Sequence, residues 1–160
     1  MIMNDDVNKS EATVTRLSVK VSAVVDEVLA ETALRYHLGR DTDRVLSRDR
    51  AEAVKLMVHA SFGRICVRMM GCLTDCSCGC ADGSGDFLTM DIEHQPTPCA
   101  LMWVHAIQHA LALDVLGEAL AGIDAKASEV YLRRSRELVE GVMREVSLSG
   151  VPGARIVTRY

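Results

Sequence analysis

The chain has 160 residues, of which 49% are hydrophobic and 25% are charged. This composition indicates a globular protein with a real core rather than a disordered segment. The formal net charge of −4 argues against a general nucleic-acid binder, which normally has a basic balance. No apolar run approaches the roughly 20 residues that a membrane span needs. We therefore expect neither membrane insertion nor sequence-specific nucleic-acid binding.

The N-terminal sequence, MIMNDDVNKSEATV, lacks a basic segment followed by an apolar one, so we expect no secretory signal. Six cysteines in such a chain are most simply reduced thiols of the cytoplasm. We expect a single domain over 1–160. Within it, 1–12 form a flexible N-terminus, 13–149 a helical bundle with a hairpin, and 150–160 a tail.

Residues 17–21, LSVKV, alternate apolar and polar side chains and predict a short strand. Ser22 is a candidate N-cap for a helix over about 22–37, because its hydroxyl can accept a backbone N–H. Gly39 is suited to close that helix, since glycine adopts the left-handed conformation without strain. A charged connection over 39–46 follows.

Ser47 is the candidate N-cap of a second helix, about 48–70, which Gly71 ends. Its side chains form an apolar stripe at helical spacing. The stripe consists of Ala51, Val54, Val58, Phe62, Ile65 and Met69. Cys66 and His59 lie on or near it, and we interpret both as packing residues.

Residues 72–93 predict a β-hairpin. Cysteines alternate with Ser77 and Gly79 in its first strand, and Leu88, Met90 and Ile92 alternate with polar residues in its second. The sequence between the strands is ADGSGD, in which Asp82-Gly83 provides a tight turn.

Two further helices complete the pattern. Thr97 and Pro98 are typical of a helix start, so we place the third helix at about 98–121. It is apolar on most sides, which predicts a central position. Asp124 caps the fourth helix, about 125–147. The predicted fold is mainly α, a four-helix antiparallel bundle with a small hairpin, or a three-stranded sheet if 17–21 joins it.

The cysteines of the hairpin have the spacing C-x3-C-x-C-x-C, unlike the C-x2-C or C-x4-C loops of structural zinc sites. Alternate residues of a strand lie on one face about 7 Å apart, too wide for one tetrahedral ion unless the strand bends. We expect no metal and no cofactor, and interpret Cys76, Cys78 and Cys80 as packing against the second strand under the bundle. Zinc is the alternative, and its ligands would be Cys72, Cys76, Cys78, Cys80 and His94.

His105 and His109 lie one turn apart on the third helix and could share a metal. The glutamate of an H-E-x-x-H motif is absent, and the nearest carboxylate along the helix is Asp114. We therefore interpret the two histidines as a polar flank. Arg133, Arg134 and Arg136 are followed by Glu137 and Glu140, a charge pattern typical of a solvated face. We predict no catalytic residues.

The order of elements resembles a known group of proteins. LSVKV leads into a helix ending TALRYHLG, and DRVLSRDR enters a long helix. A hairpin ending FLTMDI precedes two long helices and a Pro/Arg tail. This order is similar to small proteins of prophage structural operons in gut bacteria, which resemble the head–tail connector (neck, or head-completion) proteins of tailed phages.

The resemblance implies a non-enzymatic structural or assembly protein of phage origin that acts through protein–protein contacts. Its expected partners are further copies of itself, other phage structural proteins, or both. Its expected location is the host cytoplasm or the virion. The alternative is a small cytosolic metal-binding or redox-responsive domain that uses the cysteine-rich hairpin.

Overall fold

The structure is a computed structural model that describes residues 13–40, 45–79, 86–94 and 100–149. Those residues form a mainly helical protein with four helices and one small three-stranded antiparallel sheet. The elements are β1 (Thr13–Lys20), α1 (Val21–His37), a short 3-10 helix (Arg48–Arg50), α2 (Ala51–Met69), β2 (Leu73–Gly79), β3 (Phe87–His94), α3 (Ala100–Leu120) and α4 (Ala125–Ser149).

Strand β3 is the centre of the sheet, and the strand order is β1-β3-β2. β1 pairs antiparallel with β3 along its whole length, with Leu17 opposite Met90 and Val19 opposite Leu88. The prediction that 17–21 joins the hairpin is therefore confirmed, although the strand extends from Thr13 to Lys20. β2 pairs with the other edge of β3.

The two faces of the sheet follow the alternation in the sequence. The inward side chains are buried against the helices, and they include Leu17, Val19, Leu88, Met90 and Ile92. The outward face carries mostly polar residues, together with the exposed Val14 and Phe87. Arg16 donates two hydrogen bonds to the Asp91 carboxylate, of 2.8 and 2.7 Å, and the hydroxyls of Ser77 and Thr89 lie 2.8 Å apart.

Helix α1 begins directly after β1, at Val21, so the predicted N-cap at Ser22 is wrong. No side chain caps this end. The Val21 N–H instead donates to the Asp86 carbonyl, 2.7 Å away, because pairing of β1 with β3 brings that carbonyl to the helix start. The other end is as predicted: Gly39 has a φ of 66° and its N–H donates to the Tyr36 carbonyl.

Helix α2 begins after the short 3-10 helix rather than directly after Ser47, whose side chain makes no capping hydrogen bond. It ends at Met69, close to the predicted end at Gly71. Other predictions lie outside the described residues. These concern the turn at Asp82-Gly83, the helix start at Thr97 and Pro98, the N-terminus 1–12 and the tail 150–160.

Helices α3 and α4 pack antiparallel along a row of small residues. The Ser128 hydroxyl donates to the Gly117 carbonyl (2.7 Å), and one heptad further the Ser135 hydroxyl donates to the Ala110 carbonyl (2.8 Å). Small side chains let the two backbones approach closely enough for these bonds. A Cβ added at Gly117 would lie 2.5 Å from the Leu132 Cγ, so any larger residue at this position requires Leu132 to shift.

Helix α3 lies at the centre, as its apolar sequence predicts. Every residue from 110 to 117 is buried. One of them is charged: the Asp114 side chain is 1% exposed and accepts hydrogen bonds from Arg64 Nε (3.0 Å) and Nη2 (2.5 Å) of α2. This ion pair fixes α2 against α3, because a buried carboxylate needs its partner.

Asp124 caps α4, as predicted from the sequence. Its carboxylate accepts the Ala127 N–H (3.0 Å) and a hydrogen bond from Arg35 of α1 (3.2 Å). The Ala127 N–H, and after it the Arg35 guanidinium, hold the pKa of Asp124 below its ordinary value of 3.8. The charged carboxylate therefore stabilises the helix start and its link to α1.

This lowered pKa predicts a pH dependence. A group whose pKa is lower in the folded state stabilises that state above its unfolded pKa, here about 3.8, and the contribution disappears as the pH falls through the folded pKa. We expect Asp124→Asn, which retains a capping oxygen, to be less stable than the parent at neutral pH. The difference should shrink below about pH 4. Urea unfolding across this range measures it, and a difference independent of pH would contradict the assignment.

Candidate protein interface

Helix α2 is apolar on two opposite faces. Its inner face carries Val54, Val58, Phe62, Ile65 and Met69, which are buried as the sequence predicts. Cys66 is also buried and His59 is half-buried, in agreement with a packing role. Its outer face carries a second apolar row that faces solvent. We call this row the α2 stripe, and it consists of Ala53, Leu56, Ala60, Gly63, Val67 and Met70.

The large side chains of the α2 stripe are strongly exposed. Leu56 is 72% exposed, Val67 is 65% exposed and Met70 is 68% exposed. Single exposed apolar residues are normal on a protein surface and need no explanation. A contiguous row is different, because removing it from water is favourable. The α2 stripe is therefore a candidate contact surface.

The spacing of the α2 stripe is that of a helix–helix seam. Its members recur at alternating intervals of three and four residues, the a/d pattern of a coiled coil. The stripe spans residues 53–70, which at 1.5 Å per residue is about 26 Å. Among the described residues, the large side chains of this row are not part of the buried core or of the layer packed against it.

No contact among the described residues requires a glycine at position 63, in the middle of the α2 stripe. Its φ is not positive, and a Cβ placed there would meet nothing within 4 Å. Glycine inside a helix costs about 0.5–1 kcal/mol relative to alanine. The glycine leaves room for another backbone to approach the helix there, next to the small side chain of Ala60.

Two cations near the α2 stripe have partners within the chain. Lys55 Nζ lies 3.0 Å from a Glu52 carboxylate oxygen, and Arg64 binds Asp114. A partner that covers the stripe therefore does not have to bury either of these two cations without a counter-ion.

The cysteines of the hairpin are placed differently from the packing prediction. The register sets Cys76 opposite Met90 and Cys78 opposite Leu88, so the predicted facing of the two strands is confirmed. Cys76 is nevertheless exposed, and its predicted burial under the bundle is wrong. Cys76 lies on β2, an edge strand of the sheet.

The alternative zinc site also involves the far end of the sheet. His94 is buried at the end of β3, where its Nε2 lies 2.6 Å from the Thr15 hydroxyl and its ring contacts Trp103 edge-on at 4.9 Å. Among the described residues no group of three potential ligands converges, and Cys72 is a half-buried free thiol. Cys80 and the side chain of Cys78 are not among the described residues. The absence of a metal site at the hairpin therefore stays a prediction.

The two histidines of α3 lie on its exposed side. His109 Nδ1 pairs with the Glu27 carboxylate of α1, to which Gln108 also donates a hydrogen bond of 3.4 Å. The carboxylate near His109 thus comes from a different helix, which the spacing within α3 does not reveal. Asp114, the nearest carboxylate along α3, is bound to Arg64 instead.

A groove of 310 Å³ lies between α1 and α4 above α3. The Tyr131 hydroxyl donates to Glu31 (2.7 Å) across this groove, and the Arg35 guanidinium lies 5.9 Å from the Tyr131 ring. Burial, and after it the Glu31 carboxylate, raise the pKa of Tyr131. These contacts join α1 to α4.

Comparison with known proteins identifies no relative of this chain. No protein-family model matches it, and searches of curated proteins and of solved structures likewise give no match. Within the described residues, none of the helices combines the length and apolar character needed to cross a bilayer.

Proposed function

We propose that this protein is a non-enzymatic assembly protein that acts through protein–protein contacts. The observation that carries the proposal is the α2 stripe, an exposed apolar row with the spacing of a helix–helix seam. Burying one exposed leucine, valine or methionine side chain gains about 1.5–3 kcal/mol. Burial of the three large residues of the stripe would thus contribute a substantial favourable free energy to association.

We further propose that the four helices form an antiparallel bundle that serves as a rigid scaffold for this surface. The proposal is supported by the antiparallel α3–α4 pair and by the packing of α1 and α2 on α3. The Arg64–Asp114 ion pair supports it as well, since it fixes α2 with its apolar row outward. A preformed surface loses little conformational entropy when it binds.

The element order supports a narrower proposal, that the protein is of phage origin and resembles a head–tail connector. Its partners are then structural proteins of the particle, in the host cytoplasm or in the virion. We expect deletion of the gene, in a strain from which particles can be induced, to leave filled heads and free tails that do not join.

The matched control for this experiment is complementation with the parent gene and with a Leu56→Glu variant. The parent should restore infectious particles, and the variant should restore at least tenfold fewer, because a charge then lies in the contact surface. Electron microscopy and plaque counts measure the two outcomes. Normal particle numbers after deletion would contradict the connector proposal.

A further inference from the structure

The α2 stripe is complementary to itself when one copy is reversed. Antiparallel pairing of two stripes about their centre sets Leu56 of one copy against Val67 of the other. It sets Met70 against Ala53, and Ala60 against Gly63. Met70 then packs on a small residue, the two large residues Leu56 and Val67 meet, and the two smallest layers lie at the centre. This order allows the backbones to cross closely there.

A parallel pair of stripes fits less well. It would set each residue against its own copy, so that two glycines leave a gap at position 63 and two methionines meet at position 70. The steric pattern therefore favours the antiparallel arrangement.

The area of the α2 stripe indicates how stable such a pair is. Half the surface of a helix about 26 Å long and 10–12 Å wide is about 450 Å², or about 900 Å² for two copies. Stable complexes bury about 1,600 Å², and transient ones less than about 1,200 Å². A pair of this size belongs to the transient class, so the fraction of the protein that is dimeric depends on protein concentration.

We propose that the partner of the α2 stripe is a second copy of this chain, packed as an antiparallel helix pair about Ala60 and Gly63. This inference rests on the proposed assembly role and names the partner of the same surface. A two-fold pair of this kind is closed, because the same surface is used on both copies. It forms a dimer by itself, and a ring would require a second surface.

The test is sedimentation velocity under reducing conditions over a range of concentrations, with four variants. The parent should form a dimer reversibly. Leu56→Glu and Val67→Lys should each weaken the dimer at least tenfold, because each places a charge against an apolar residue twice. The double variant Leu56→Glu/Val67→Lys should recover most of that loss, because the antiparallel pair sets the new acid against the new base.

Gly63→Leu is the variant that separates association from folding. A Cβ there meets nothing within 4 Å among the described residues, and leucine has a higher helix propensity than glycine, so the monomer should be at least as stable as the parent. The bulky side chain should nevertheless abolish the dimer, because it occupies the centre of the contact. Circular dichroism and thermal unfolding confirm the fold of every variant.

Several results would overturn the inference. A parent that stays monomeric at all concentrations, or a multimer that none of the variants affects, would exclude a second copy on the α2 stripe. A double variant that dimerises more weakly than both single variants would exclude the antiparallel arrangement. None of these results decides the assembly role, which is tested by particle formation. A monomeric parent combined with lost infectivity for Leu56→Glu would mean that a different protein covers the stripe.

Discussion

Replacement of Arg64 by methionine is expected to lower the free energy of unfolding by about 3 kcal/mol. Methionine retains the length of the apolar part of the arginine side chain but removes both hydrogen bonds to Asp114. Asp114 is 1% exposed, so its carboxylate would remain buried without a partner. We expect the lower end of the range for such pairs, because the Arg64 side chain is 39% exposed and water can reach the site from that side. Urea unfolding monitored by circular dichroism measures the change.

The matched control is the double variant Arg64→Met/Asp114→Leu. It removes both charges and leaves an apolar contact of similar size, which is often neutral or stabilising relative to a buried ion pair. We expect it to be clearly more stable than Arg64→Met alone. If the single and double variants unfold at the same urea concentration, Asp114 is not the reason for the loss.

Replacement of Gly117 by alanine is expected to cost about 1–3 kcal/mol, the usual range for overpacking a close contact. The added Cβ would lie 2.5 Å from Leu132 Cγ and 3.2 Å from the Leu132 backbone nitrogen. The Leu132 side chain alone cannot relieve both contacts, so α4 has to move away from α3. That movement also lengthens the hydrogen bond from Ser128 to the Gly117 carbonyl.

Gly141→Ala in α4 is the control for Gly117→Ala. A Cβ at Gly141 meets nothing within 4 Å. The same chemical change should therefore stabilise the protein by about 0.5–1 kcal/mol, through helix propensity alone. Thermal unfolding of the two variants should give shifts of opposite sign. A stabilising effect of both would show that α3 and α4 are not closely packed at Gly117.

Much of this fold follows from local patterns in the sequence. The four helices follow from apolar spacing, the end of α1 from Gly39, and the start of α4 from Asp124, because each depends on neighbours along the chain. The alternation in β1 and β3 likewise identifies the buried face of the sheet. These features require only short-range physical chemistry.

The features that could not be predicted depend on which elements meet. The first N–H of α1 donates to the carbonyl of Asp86, 65 positions away in sequence. His109 of α3 pairs with a carboxylate of α1, that of Glu27. Alternation identifies the face on which Cys76 lies but not whether a helix covers that face. The α2 stripe was recognisable in the sequence, as apolar residues at intervals of three and four on the side of α2 opposite the buried row.

The central position of β3 also has a consequence for how the chain folds. β1 lies near the N-terminus, yet its partner in the sheet begins at Phe87, after two whole helices. Closing so long a loop is slow, because its entropy is lost before the pairing is gained. During synthesis β1 therefore remains an unpaired strand until β3 leaves the ribosome. A nascent chain that stops before Phe87 lacks the central strand of the sheet, so Leu17 and Val19 are without the strand beside which they are buried in the folded protein.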